Sequence, residues 1–191
     1  MNQVLEQAVT ARRLNHVEFA HRPGEGHLAV ALFEALGCGC EQIDTPPYGA
    51  YIVVSLDGSP HGENDMFVSQ VEPEQLALEQ AIERQVAAGA TELAEAMAQF
   101  RRLQRERPYR ATHFGMRIPT VRALDEVITR LAALASGQLA GRIELGYTMT
   151  RSKAESRATS SPMKQIWVWT DVISTGLLAA GQQIELQAYD P

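Results

Sequence analysis

The chain has 191 residues, 45% of them hydrophobic and 21% charged, the balance of a folded globular protein rather than a disordered one. A formal net charge of −6 leaves no basic field to attract nucleic acid phosphates, and no apolar run approaches the ~20 residues that span a bilayer. Met1 to Asn15 lacks the apolar core of a secretion signal, and Cys38 and Cys40 lie too close together for an ordinary disulfide framework. A cytoplasmic protein is therefore expected, with neither a membrane nor a nucleic acid as partner. Arg101, Arg102, Arg105, Arg107 and Arg110 are basic, but Glu106 interrupts them, which reads as a solvated helix face.

In chain order, Leu14 to Ala20 alternates as a strand. His27 to Leu36 carries Leu28, Ala31, Leu32 and Leu36 at helical spacing, and Gly37 stops the helix. Cys38 to Ile43, Tyr51 to Leu56 and Asp65 to Val71 read as three further strands, separated by Pro46-Pro47-Tyr48-Gly49 and by the polar loop from Ser59 to Asn64. Pro73 to Arg107 is rich in Ala, Glu, Gln, Leu and Arg, so it reads as a helical insertion split at Gly89. Leu93, Met97, Phe100 and Leu103 form one stripe there, to be buried against the body of the domain or in a homodimer rather than closed as a lid.

The order then repeats. Thr112 to Ile118 is a strand, and Val121, Leu124, Val127, Ile128, Leu131 and Leu134 make an amphipathic helix. Gly141 to Met149, Gln165 to Ile173 and Gln183 to Tyr189 are strands, with Arg151 to Pro162 expected as a mobile loop. The whole reads as an internal duplication of a βαβββ unit.

Four strands each hold one metal-capable side chain among apolar neighbours. Side chains alternate faces along a strand, so a core containing Val17 and Phe19 sends His16 the other way. Phe114, Met116 and Ile118 do the same for His113, Ile184 and Leu186 for Glu185, and Phe67 and Val71 for Gln70. Two imidazoles, a carboxylate and an amide oxygen would then line one sheet surface and suit a hard to borderline divalent ion. Arg117 would take a substrate anion or neutralise Glu18, and Trp167 and Trp169 would form an apolar wall.

A duplicated βαβββ plan with a histidine in the first strand of each half and Ile184-Glu185-Leu186 in the last resembles the vicinal oxygen chelate superfamily. That superfamily includes glyoxalase I, methylmalonyl-CoA epimerase, extradiol dioxygenases and the fosfomycin- and bleomycin-resistance proteins. The likeness spans Leu14 to Tyr189 apart from the insertion, and rests on Asn15-His16-Val17, Thr112-His113-Phe114 and Gln183-Ile184-Glu185-Leu186-Gln187. It implies an α+β fold of two βαβββ modules, 14–72 and 111–191, forming a cupped mixed sheet with the insertion 73–110 between them. It also implies Fe, Mn, Co, Ni or Zn held by His16, His113, Glu185 and Gln70, with Ser69 or Glu72 as alternatives to Gln70.

The activity so implied is metal-stabilised enolate chemistry on a small oxygenated substrate, as in a lyase or isomerase of the glyoxalase or epimerase kind. Glu185 would take a catalytic role as a ligand, and Glu18 or Glu72, from their positions and without a family motif, would serve as general base if buried next to the metal. The alternatives are an Fe(II) dioxygenase and a metal-free binding protein of the resistance type. Two features depart from the superfamily pattern: the long insertion, and the segment Asp171 to Gln182 where relatives have a short turn.

Overall fold

The computed structural model describes residues 16–46, 49–57, 64–89, 91–159 and 161–189. Leu14, Asn15 and most of the 59–64 loop lie outside these residues. The first module runs β1 (His16–His21), α1 (Gly26–Leu36), β2 (Gly39–Thr45), β3 (Gly49–Ser55) and β4 (Asp65–Gln70). The second runs β5 (His113–Ile118), α4 (Val121–Ala135), β6 (Ile143–Thr150), β7 (Lys164–Thr170) and β8 (Gln182–Ala188). Between them lie α2 (Pro73–Ala87) and α3 (Glu92–Glu106), and a short α5 (Lys153–Thr159) joins β6 to β7.

Both modules fold on one plan. The sheets have the orders β1-β4-β3-β2 and β5-β8-β7-β6, each with one parallel pair (β1 with β4, β5 with β8) and two antiparallel pairs. The duplicated βαβββ architecture with mixed sheets is therefore present. A parallel pair needs a crossover, and in each module the helix after the first strand begins that crossover.

Local chemistry sets the helix ends. Gly37 adopts φ 93° after α1, a left-handed conformation that costs a glycine little, and its N–H and that of Cys38 satisfy the Glu34 and Phe33 carbonyls. The Thr91 and Thr120 hydroxyls accept the backbone N–H groups of Ala94 and Ala123 to start α3 and α4.

One core serves both modules. Phe19, Leu32, Phe33, Val54 and Val68 of the first pack in the same cluster as Ile118, Leu124, Leu131, Val168, Ile184 and Leu186 of the second. Phe19 and Phe114 meet edge-on across the seam, 5.0 Å between ring centroids. Helices α1 and α4 also touch, and the Arg130 Nε–H donates to the Ala35 carbonyl at 2.8 Å, which satisfies an orphan carbonyl at the end of α1. The modules join at a second point, where Ala20 of β1 exchanges two backbone hydrogen bonds, 2.8 and 3.1 Å, with Ser174.

Three expectations need correction. The Ser/Thr-rich 151–162 stretch holds α5 rather than only a loop: Ser152 and Glu155 form a reciprocal capping box, Ser152 N–H to Glu155 at 2.9 Å and Glu155 N–H to Ser152 Oγ at 3.3 Å. Strand β7 ends at Thr170 rather than Ile173, because the Thr170 hydroxyl accepts the Val172 N–H and turns the chain towards Ala20. The apolar stripe of α3 is not its buried side. Leu93 and Phe100 are 38% and 37% exposed, while the polar Gln104 is 2% exposed.

The two departures from the superfamily pattern are packing partners. Gln75 and Glu79 of α2 and Arg101 of α3 all reach backbone groups of the 171–182 segment. The Gln183 side chain donates to the Gln104 carbonyl at 3.0 Å, which seats α3 against β8. Packing against the body of the domain is what the insertion does here.

Candidate functional site

The register of β5, β8 and β7 decides which side chains meet. His113, Gly115 and Arg117 pair with Gln183, Glu185 and Gln187, and these pair in turn with Trp169, Trp167 and Gln165. All nine share one face, since Phe114, Met116, Ile184, Leu186, Ile166 and Val168 fill the core on the other.

On that face His113 Nε2 lies 3.6 Å from Glu185 Oε2, and the imidazole sits edge-on to Trp167 with centroids 4.6 Å apart. His113 Nδ1 is 2.9 Å from the Ala111 carbonyl. A carbonyl only accepts, so Nδ1 carries the proton and Nε2 is the nitrogen turned to the carboxylate. Gln165 donates its amide N–H to the other oxygen, Glu185 Oε1. Gly115 keeps the space above open: a Cβ there would stand 3.4 Å from Glu185 Oε2.

A lone pair on Nε2 facing a carboxylate is stable only with a proton or a cation between them. Two ligand atoms about 2.1 Å from one tetrahedral ion stand about 3.4 Å apart, close to the observed separation. One imidazole and one carboxylate suit a borderline divalent ion, so the pair fits as two of its ligands.

The wider set expected from sequence is not brought together. His16 stacks at a tilt on Phe67, 4.9 Å between centroids. It lies four residues before the Ala20–Ser174 bridge, about 13 Å along a strand at 3.3 Å per residue. His113 lies at the bridge end, because its partner Gln183 adjoins the Thr170–Gln182 pair that leads into Ser174. The two histidines, equivalent in their modules, thus sit at opposite ends of the seam.

Gln70 is on the opposite face. Met66 and Val68 are core residues, and two-residue periodicity puts Gln70 with them and with His21, its register partner. The expectation that Phe67 and Val71 mark the core side of β4 is corrected accordingly. Among the described residues no group of three His, Cys, Asp or Glu side chains converges to hold one ion.

Glu18 accepts the Ser69 hydroxyl at 2.5 Å and lines a cavity of about 840 Å³ with Ala20, Leu78 and Leu177. Glu72 lines the same cavity. Arg117 does not pair with Glu18; its guanidinium lies 4.7 Å over the Tyr189 ring, whose hydroxyl donates to Gln187. Trp167 is buried beside His113, and Trp169 faces α3.

Sequence reading missed two groupings. His21 and His27 share a cavity of about 460 Å³ with Gln70 on the helix side of β1, and β-alternation could have placed His21 there. Gln165, which holds Glu185, lay two residues from Trp167 on the same strand face.

The fold and this face describe a two-module βαβββ protein with a polar, metal-compatible pair beside an aromatic wall. No family model matches the chain, and no curated protein matches it. Among solved structures it is similar to a glutamate-to-glutamine variant of FosX, a genomically encoded fosfomycin resistance protein from Listeria monocytogenes, complexed with Mn(II) and 1S,2S-dihydroxypropylphosphonic acid. The identity is 10%, the alignment covers 93% of each chain, and the TM-score is 0.46. No helix among the described residues is long and apolar enough to cross a membrane.

Proposed function

We propose that the chain binds a small oxygenated molecule on the face away from α1 and α4, at a divalent metal centre whose protein ligands are His113 and Glu185. One observation carries this: His113, fixed by the Ala111 carbonyl, turns Nε2 towards Glu185 Oε2 at 3.6 Å. Ala111 and Gln165 are the outer partners that orient the two ligands, as carbonyl and amide groups do around metal centres. The ion, when bound, would act as a Lewis acid towards adjacent oxygens of the bound molecule. Trp167 excludes water from one side of the imidazole.

A fourth ligand at Gln70 would favour enolate chemistry over oxygen activation, but Gln70 faces the other side of the sheet. Oxygen consumption by iron-loaded protein distinguishes the two: uptake assigns a dioxygenase, and its absence with proton exchange beside a substrate carbonyl assigns the isomerase or lyase.

The test of the centre is metal titration of wild type, His113→Ala and Glu185→Gln, read by elemental analysis and calorimetry with Mn, Fe, Co, Ni and Zn. Stoichiometric binding lost in both variants is the expected result. Retention of the ion by His113→Ala excludes the centre. A second reading, a metal-free binding protein, is favoured because among the described residues no third acidic, thiol or imidazole side chain joins the pair. It predicts no stoichiometric ion even after reconstitution.

A further inference from the structure

Helix α3 does not seal against the sheet it covers. A cavity of about 460 Å³ lies between them, lined by Arg101, Arg105, Glu144, Trp169 and Asp171 among others. A narrower space of about 40 Å³ shares Arg105, Glu144 and Trp169 with it and reaches Gln104, Trp167 and Gln183. Two buried polar atoms here have no hydrogen-bond partner: Arg101 Nε and Gln104 Oε1. Three residues apart on a helix, they lie on one side of it. Arg101 borders the larger space and Gln104 the narrower one. Buried polar groups are nearly always paired, so an orphan beside each of two adjoining spaces points to a ligand that reaches both.

The charges around the space say what kind. Arg105 is held by both oxygens of Glu144, each at 3.0 Å. Asp171 is held by Arg142 and Arg22. These charges cancel locally. Arg101 makes a single contact, Nη2 to the Ala179 carbonyl at 3.4 Å, and among the described residues it has no carboxylate partner. An uncompensated guanidinium with a buried Nε–H takes an oxyanion. Gln104, 2% exposed, offers Oε1, an acceptor that takes a hydroxyl or N–H donor. Trp169 supplies an aromatic surface and is held in place by Gly181, where a Cβ would stand 2.3 Å from the indole nitrogen.

We propose that these two adjoining spaces together form a binding site for a small hydroxylated organic anion, with the oxyanion on Arg101 Nε–H in the larger, the hydroxyl on Gln104 Oε1 in the narrower and the apolar part on Trp169, which lines both. The site belongs to the insertion, so it is separate from the His113–Glu185 pair, from which Trp167 divides it. The inference goes beyond the functional reading above, because this molecule would sit apart from that pair. It does not depend on the metal.

The test uses tryptophan emission, since Trp167 and Trp169 are the chain's two tryptophans, Trp169 lining both spaces and Trp167 the narrower one. The full chain is titrated in EDTA with mandelate, with phenylacetate (no hydroxyl), with benzyl alcohol (no anion) and with inorganic phosphate (oxyanion alone). Mandelate should bind at millimolar concentration or better, about tenfold more tightly than phenylacetate or benzyl alcohol. Weak phosphate binding identifies the oxyanion subsite alone; phosphate tighter than mandelate reassigns the class and overturns the proposal.

Arg101→Gln should weaken mandelate by about tenfold or more, and Gln104→Leu should abolish the preference over phenylacetate. His113→Ala should bind mandelate as wild type does, so this inference and the metal reading fail separately. If Arg101→Gln does not fold, the Arg101 Nε–H resonance of the wild type provides the answer: it must shift with mandelate. An unmoved resonance, unchanged affinity in Arg101→Gln, or no binding of any probe by wild type would show that water alone fills the space.

Discussion

Glu79 of α2 and Leu178, ninety-nine positions apart, are joined by a buried hydrogen bond in which the Leu178 N–H donates to Glu79 Oε1 at 2.7 Å. The Ala179 N–H donates to the other oxygen at 2.9 Å, so one carboxylate satisfies two backbone donors at the start of the 178–180 helical turn. Glu79 is 1% exposed, and its cost of burial is offset because both oxygens are paired. The bond ties the insertion to the β7–β8 connection. Glu79→Ala should cost about 3 kcal/mol, the scale of two hydrogen bonds to a charged group, read from urea unfolding. A change within about 0.5 kcal/mol, the range of a surface substitution, would show that the insertion is not anchored there.

The seam between modules makes a second prediction. Phe19 is 1% exposed and packs on Phe33 and Phe114. Phe19→Ala should cost about 3–5 kcal/mol. A double-mutant cycle with Phe114→Leu should return a coupling of about 1 kcal/mol, because the rings meet edge-on. Zero coupling would mean the modules are held by α1 and α4 rather than by the strands.

Acid should loosen the connection between Glu25, Arg142 and Asp171. Arg142 grips Glu25 at 3.2 and 2.9 Å and Asp171 through Nε. Burial raises the Glu25 pKa, but the Arg142 hydrogen bonds and charge, with Arg22 adding, hold it below the usual glutamate value of 4.5. A carboxyl whose pKa is lower folded than unfolded contributes stability that is complete above the unfolded value and is lost as pH falls through the folded one. Unfolding free energy should therefore fall below about pH 4.5, and less steeply in Arg142→Gln. Equal slopes in the two proteins, from urea titrations at a series of pH values, would remove Glu25 from the account.

Gln165 gives a prediction about the metal pair that spares its ligands. Its amide fixes Glu185 through Oε1 and leaves Oε2 towards His113. Gln165→Leu should weaken divalent-ion binding by about 10- to 100-fold with the melting temperature little changed. Unaltered affinity by calorimetry would mean Glu185 needs no outer partner.

The elements were legible where periodicity was strong. The βαβββ order, the two crossover helices and the break of the insertion at Gly89 all follow from apolar spacing and turn residues. The faces of β5 and β8 were legible too, because Phe114, Met116, Ile184 and Leu186 leave no doubt which side is core. Strand β4 was misread, since Phe67 and Val71 look as apolar as Met66 and Val68, and only packing chooses between the two alternations. Helix α3 was misread for a similar reason: its apolar stripe suggested the buried side, but contact with β8 buries Gln104 instead.

Short-range periodicity is enough for the doubled βαβββ plan and for the strand faces that carry His113 and Glu185, whereas their meeting follows from the parallel pairing of β5 with β8. Only the tertiary structure decided that His16 stands at the far end of the seam, that Gln70 turns to the helix side, and that the insertion encloses a cavity over Trp169. Those outcomes depend on how one sheet is set against another and how a helix lies on a strand. Such relations are fixed by packing of residues far apart in the chain, which leave no local pattern to read.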